Sequence, residues 1–150
     1  MIDRRRLLRE EDEAWLVLGK TFARVGDARF EEPTLTPEGW SPKDAMFHVS
    51  GWTADCALQL DRIGAGTFDA LEETREAIEL QNQAWFEVSS AMSAADVRAR
   101  FVPSRQRMVQ AFGRLDEVTT EAVEWFEESG ALHYSKHVED LRSFLGEAGP

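Results

Sequence analysis

The chain has 150 residues, with 17 Lys+Arg against 28 Asp+Glu and a formal net charge of −11. That length fits a single domain over residues 1–150, one able to bury roughly two-thirds of the surface its unfolded chain exposes. The acidic excess repels phosphate backbones, and the only basic run, Arg4-Arg5-Arg6, is followed at once by Glu10, Glu11, Asp12 and Glu13, so nucleic acid is not expected as a partner.

Residues 3–26 place Leu8, Trp15, Leu18, Phe22 and Val25 at spacings of three and four, with Glu11 in the one polar seat of that stripe. This pattern predicts a long amphipathic helix. Asp27 to Trp40, holding Pro33, Pro37 and Gly39, reads as a loop. Loops longer than about 12 residues in a compact domain are often functional, which makes this one a candidate wall of a site.

The second helix carries the clearest start signal: Ser41 at the N-cap, Pro42 at the first helical position and Asp44 three residues after the cap. Its buried stripe is expected to be Ala45, His48, Val49, Trp52, Cys56, Leu60 and Ile63, and Gly64-Ala65-Gly66 ends it. A third helix is expected from near Phe68, with Leu71, Ile78, Trp85 and Val88 inward and Asn82 one turn from both Ile78 and Trp85. A buried amide there needs a partner, since leaving it unpaired costs about 1–3 kcal/mol.

Ser93 caps a fourth helix bearing Val97, Phe101, Met108, Phe112 and Leu115, which Pro103 is expected to kink or break. A short piece from about Thr120 to Glu128 carries Val123, Trp125 and Phe126. After Ser129-Gly130, residues 131–146 form the last helix, with Tyr134, His137, Val138, Leu141, Phe144 and Leu145 inward. No alternating β-branched run bounded by hairpin turns occurs. The expected fold class is all-α, a bundle of four long helices with an additional short helix.

Cys56, the one cysteine, forms no internal disulfide and reads as a small buried apolar residue, which fits a reducing compartment. After Arg6 only Leu7-Leu8 precede the return of charge, short of the roughly 7–15 apolar residues of a signal peptide. Nothing approaches the roughly 18 apolar residues of a membrane span. A soluble, cytoplasmic protein is expected.

Two of the three histidines, His133 and His137, stand four apart on one predicted helix, which leaves their Cβ atoms about 5–6 Å apart on one face. Two imidazoles so placed can share one metal ion. His48 occupies the inward stripe of another helix, so three imidazoles converge if the second and last helices face each other. Neutral imidazole suits Zn, Ni, Cu and Fe alike, and three protein ligands leave a coordination position open for chemistry. The spacing alone is also that of ordinary core or surface histidines.

Other chemistries lack their signals. Gly64 and Gly66 follow a helix and make no phosphate loop, and no Gly-x-Ser-x-Gly elbow exists. The acidic clusters at Glu10–Glu13, Glu72-Glu73 and Glu127-Glu128 are expected to solvate helix faces. Of the tryptophans, Trp40 and Trp52 flank the cap and the histidine and are expected to line a pocket suited to a partly apolar ligand.

The run from Gly39 to Trp52 (GWSPKDAMFHVSGW), with the downstream run from His133 to Arg142 (HYSKHVEDLR), resembles the DinB-like superfamily. The closer resemblance is to the branch of mycothiol-dependent maleylpyruvate isomerase N-terminal domains and ClbS/DfsB-type proteins, and it covers nearly the full length in helix order. It implies a four-helix bundle holding a divalent transition metal, zinc or nickel foremost, on His48, His133 and His137, with Asn82 hydrogen-bonding near the site. Asn82, Asp44 or Glu139 could fix an imidazole through its second nitrogen.

The resemblance further implies a thiol-dependent transferase or isomerase, or a hydrolase, acting on an electrophilic small molecule. The co-substrate would be a low-molecular-weight thiol such as mycothiol or bacillithiol, and the assembly a homodimer. A metal with an open position depresses the pKa of a thiol or water bound to it, which makes a nucleophile at neutral pH. The competing reading is a non-catalytic bundle that sequesters a ligand or metal, or serves as an interaction module.

Overall fold

The computed structural model describes residues 1–70 and 74–147, and they form an all-α bundle with no strand among them. The helices are α1 (Arg4–Ala23), α2 (Pro42–Ala65), α3 (Arg75–Ala91), α4 (Ala94–Arg114), the short α5 (Thr120–Ser129) and α6 (Ala131–Phe144). The expected inward seat of Leu71 and the Glu72-Glu73 cluster lie outside the described residues. Among the described residues no helix is long and apolar enough to cross a membrane.

Most helix starts follow from side chains that meet orphan backbone N–H groups. Ser41 Oγ accepts from Asp44 N at 3.2 Å while the Asp44 carboxylate accepts from Ser41 N at 2.8 Å, closing the capping box of α2. Asp3, Thr74, Ser93 and Thr119 cap α1, α3, α4 and α5, each through a side-chain oxygen that accepts from the backbone N–H three residues on. α2 is the central element, packing on α3, α4, α5 and α6, while α1 lies along α6.

The core is shared between these helices. Leu18 and Phe22 of α1, Val49, Cys56 and Leu60 of α2, Met108 and Phe112 of α4, Phe126 of α5 and Leu141 of α6 are all buried. Phe112 and Phe126 stack at 3.9 Å between α4 and α5, and Trp15 stacks on Phe101 at 4.4 Å between α1 and α4.

Four expectations change. α3 starts at Arg75 rather than near Phe68, because the Thr74 hydroxyl accepts from Ala77 N at 3.1 Å and sets the first turn there. Ile78 and Val88, both expected inward, are exposed, since α3 lies at the edge of the bundle and buries only Ser89 fully. Pro103 does not break α4. It is itself exposed, as is Ala99, whose carbonyl the missing N–H would have met, so water can satisfy that carbonyl while Phe101, Ser104 and Met108 hold the helix to the core.

Glu11, the fourth, does not solvate a helix face. It is 1% exposed, and its carboxylate accepts from Arg105 Nε and from the Tyr134 hydroxyl, both at 2.9 Å. A second Arg105 nitrogen also bonds it, making a bidentate pair.

Candidate metal centre

The loop before α2 is pinned from both ends. Lys43 N donates to Phe30 O at 2.9 Å and Leu35 N to Trp40 O at 2.9 Å, with Phe30 buried. This fixes Trp40, which stacks on Phe86 at 5.8 Å and meets the His48 ring edge-on at 5.0 Å. The loop therefore backs the His48 ring through Trp40, while none of its residues lines the cavity onto which the histidines open. Asp44 adds a tie from α2 to α3 by accepting from Ser89 Oγ at 2.6 Å.

His48 lies in the second turn of α2, and His133 and His137 lie one turn apart on α6. Gly130 sets the register of α6. A Cβ there would stand 2.6 Å from Phe126 O, so only glycine lets α6 begin directly after α5.

The three rings meet. His48 Nε2 is 3.0 Å from His133 Nε2, and His137 Nε2 is 2.9 Å from His133 Nε2. One potential ligand atom from each of the three residues lies within 4.8 Å of the others. His48 and His137 are each 8% exposed.

Burial, and secondarily the charge of His137, pushes His48 down to about 3. Burial and then Lys136 bring His137 to about 4. His133 falls well below the usual histidine range through burial and then the charges of His137 and His48, with the Ser129 backbone opposing. All three are neutral at pH 7, the form that ligates metals.

The donor set fits a metal ion. An imidazole nitrogen carries either one proton or one lone pair, so His133 Nε2 cannot make two sound hydrogen bonds at 2.9 and 3.0 Å at once. A cation taking a lone pair from each ring resolves that conflict. Metal–nitrogen bonds of about 2.0–2.1 Å in tetrahedral geometry require nitrogens about 3.3 Å apart, within a few tenths of an ångström of the two contacts.

With Nε2 given to the ion, the proton belongs on Nδ1; the Nδ1 atoms of His48 and His137 are buried without a hydrogen-bond partner among the described residues, and that of His133 meets no strict hydrogen-bond geometry although the Ser129 backbone, one turn earlier, lies against the ring and favours its protonation. The expected orienting groups stand elsewhere. Asn82 accepts from Trp52 Nε1 at 2.8 Å, Asp44 serves the α2 cap, and Glu139 is exposed and makes no hydrogen bond or ion pair with the rings among the described residues. Asp140 stands beside His137, with Oδ2 4.0 Å from Nδ1.

The histidines open onto a cavity of about 640 Å³. Trp52 and Asn82 line it as the sequence leads one to expect, whereas Trp40 stands behind His48. Sequence reasoning missed Trp125 and Phe68, which meet edge-on at 6.0 Å, and Glu121, Glu124, Lys136 and Asp140. Glu128, expected only to solvate a helix, also faces the cavity. The available signal is spacing: positions 121, 124, 125 and 128 share one face of a helix.

Compared with known proteins, the chain matches no protein-family model, no curated protein and no solved structure.

Proposed function

We propose that this protein is a cytoplasmic, metal-dependent enzyme of the DinB-like superfamily that directs a low-molecular-weight thiol, or water, onto an electrophilic small molecule. The observation that carries this reading is the meeting of three neutral imidazoles from two helices at the wall of a cavity large enough for a small ligand. A divalent ion on such a donor set, zinc or nickel foremost, supplies Lewis acidity that lowers the pKa of a thiol or water reaching it.

The chain's own groups do the rest. His48, His133 and His137 present lone pairs from helices fixed by the α2 capping box and by Gly130. Trp52, Trp125 and Phe68 offer apolar surface to the ligand body and displace water from it. Asn82 spends its carbonyl oxygen on Trp52 and keeps its amide N–H groups for a ligand acceptor. The nucleophile has to come from outside, because Cys56 is fully buried and burial pushes its thiol up to about 12.

The test is a thiol-consumption and hydrolysis assay. Protein purified without a His-tag is loaded with zinc or nickel and offered a panel of electrophiles with mycothiol, bacillithiol and glutathione. Turnover is expected with the metal, and its loss with chelator or His48→Ala. Inertness of the loaded protein with every thiol and with water overturns the enzyme reading.

A further inference from the structure

α5 breaks two rules of helix electrostatics on the face it turns to the cavity. Glu121, Glu124 and Glu128 stand at spacings of three and four, where like charges repel. The last turn holds Glu127 and Glu128 and no basic residue, although that end of a helix favours cations. None of the three cavity glutamates has an ion pair or hydrogen bond among the described residues. A local conflict of this kind marks a place where something other than folding sets the sequence.

Two further features share that space. The same cavity is lined by the rings of Trp52, Trp125 and Phe68, and by His48 and His137, each 8% exposed. Counting the charged lining, Glu121, Glu124, Glu128 and Asp140 face a single ammonium, that of Lys136. Aromatic faces beside carboxylates are the combination that recognises organic cations, the rings by their quadrupole and the acids by charge.

We infer that this cavity selects an organic cation: a substrate with an ammonium or guanidinium group on an apolar body, its charge among Glu121, Glu124, Glu128 and Asp140 and its body against Trp52, Trp125 and Phe68. This rests on reading the cavity beside the histidines as the substrate site. The glutamates choose the substrate, and the imidazoles serve the reaction.

The test uses probes of similar size that differ in charge. Benzyltrimethylammonium, which has no lone pair to offer a metal, is titrated calorimetrically into the zinc-treated full chain beside benzyl alcohol and benzenesulfonate. The cation is expected to bind about tenfold tighter than the alcohol, with affinity falling as salt is raised from about 20 to about 300 mM. The sulfonate is expected to bind weakest. The triple variant Glu121→Gln, Glu124→Gln, Glu128→Gln is expected to fold, since the three side chains are exposed, and to erase the preference.

A cation that binds no tighter than the alcohol, or a triple variant that keeps the preference, overturns the inference. Zinc content is measured on the same samples. A preference kept by zinc-free protein supports this inference and counts against the metal, while one zinc per chain with no preference does the reverse.

Discussion

His48 Nε2 stands 3.0 Å from His133 Nε2, although 85 positions separate the two residues in the chain. That contact places α2 and α6 around one point, and His137 joins it at 2.9 Å from His133. Three ring nitrogens with no mutually satisfactory proton arrangement leave the metal-free bundle with an internal conflict that a cation relieves.

Metal should therefore stabilise the fold. Zinc at about a hundredfold excess over its Kd adds about 2.7 kcal/mol, or roughly 5–10 °C in Tm for a chain of this size. Circular-dichroism melts with and without chelator measure the shift. His137→Ala is expected to abolish it, and a shift kept by that variant would put the ion elsewhere.

Acidification of the chelated protein gives a second expected outcome. The folded chain holds His48 at about 3 and His137 at about 4, with His133 also well below the ordinary 6.5. Between those values and 6.5 the unfolded chain binds more protons, so the contribution of neutral imidazoles is complete above about 6.5 and is lost as pH falls. Urea midpoints should drop more steeply from pH 6.5 downward in wild type than in a variant with all three histidines changed to Gln, whose side chains do not titrate. Equal slopes would refute this.

The α2 start and the histidine spacing were legible because each depends on neighbours in sequence: Ser41, Pro42 and Asp44 share one turn, and His133 and His137 are adjacent turns of one helix. What escaped depends on neighbours in space. Glu11 sits in a polar seat of an apolar stripe, yet its partners Arg105 and Tyr134 come from α4 and α6. Asn82 meets Trp52 because Gly51 lets α3 approach α2; a Cβ at Gly51 would lie 2.7 Å from the Trp85 ring. The glutamates of α5 were invisible as a cavity wall because three acids on one helical face are also what a solvated surface shows.

Cys56 is expected to be inert in the folded protein. With the thiol pushed up to about 12 by burial, the thiolate fraction at about pH 8 is negligible and reagent access is blocked. A thiol-reactive chromogen should detect nothing in native protein and one thiol per chain in urea. Rapid labelling of native protein would show that α2 and α5 separate at that point.

The Glu11–Arg105–Tyr134 cluster offers the sharpest stability test, because its cost depends on which member is removed. Arg105→Met strands a carboxylate that is 1% exposed, and loss of one partner from a buried pair costs about 3–5 kcal/mol. Tyr134→Phe removes one hydrogen bond to a charged acceptor, about 1.5–3 kcal/mol. The double variant Glu11→Leu, Arg105→Met removes both buried charges together and should recover much of the single-variant loss, since no buried ion is left unpaired; what remains is the Tyr134 hydroxyl without its acceptor and the exposed Asp12 carboxylate without Arg105. Urea unfolding of the three variants and wild type measures these differences; a double variant less stable than Arg105→Met by the full cost of a second such loss would mean that the pair contributes through packing rather than through charge.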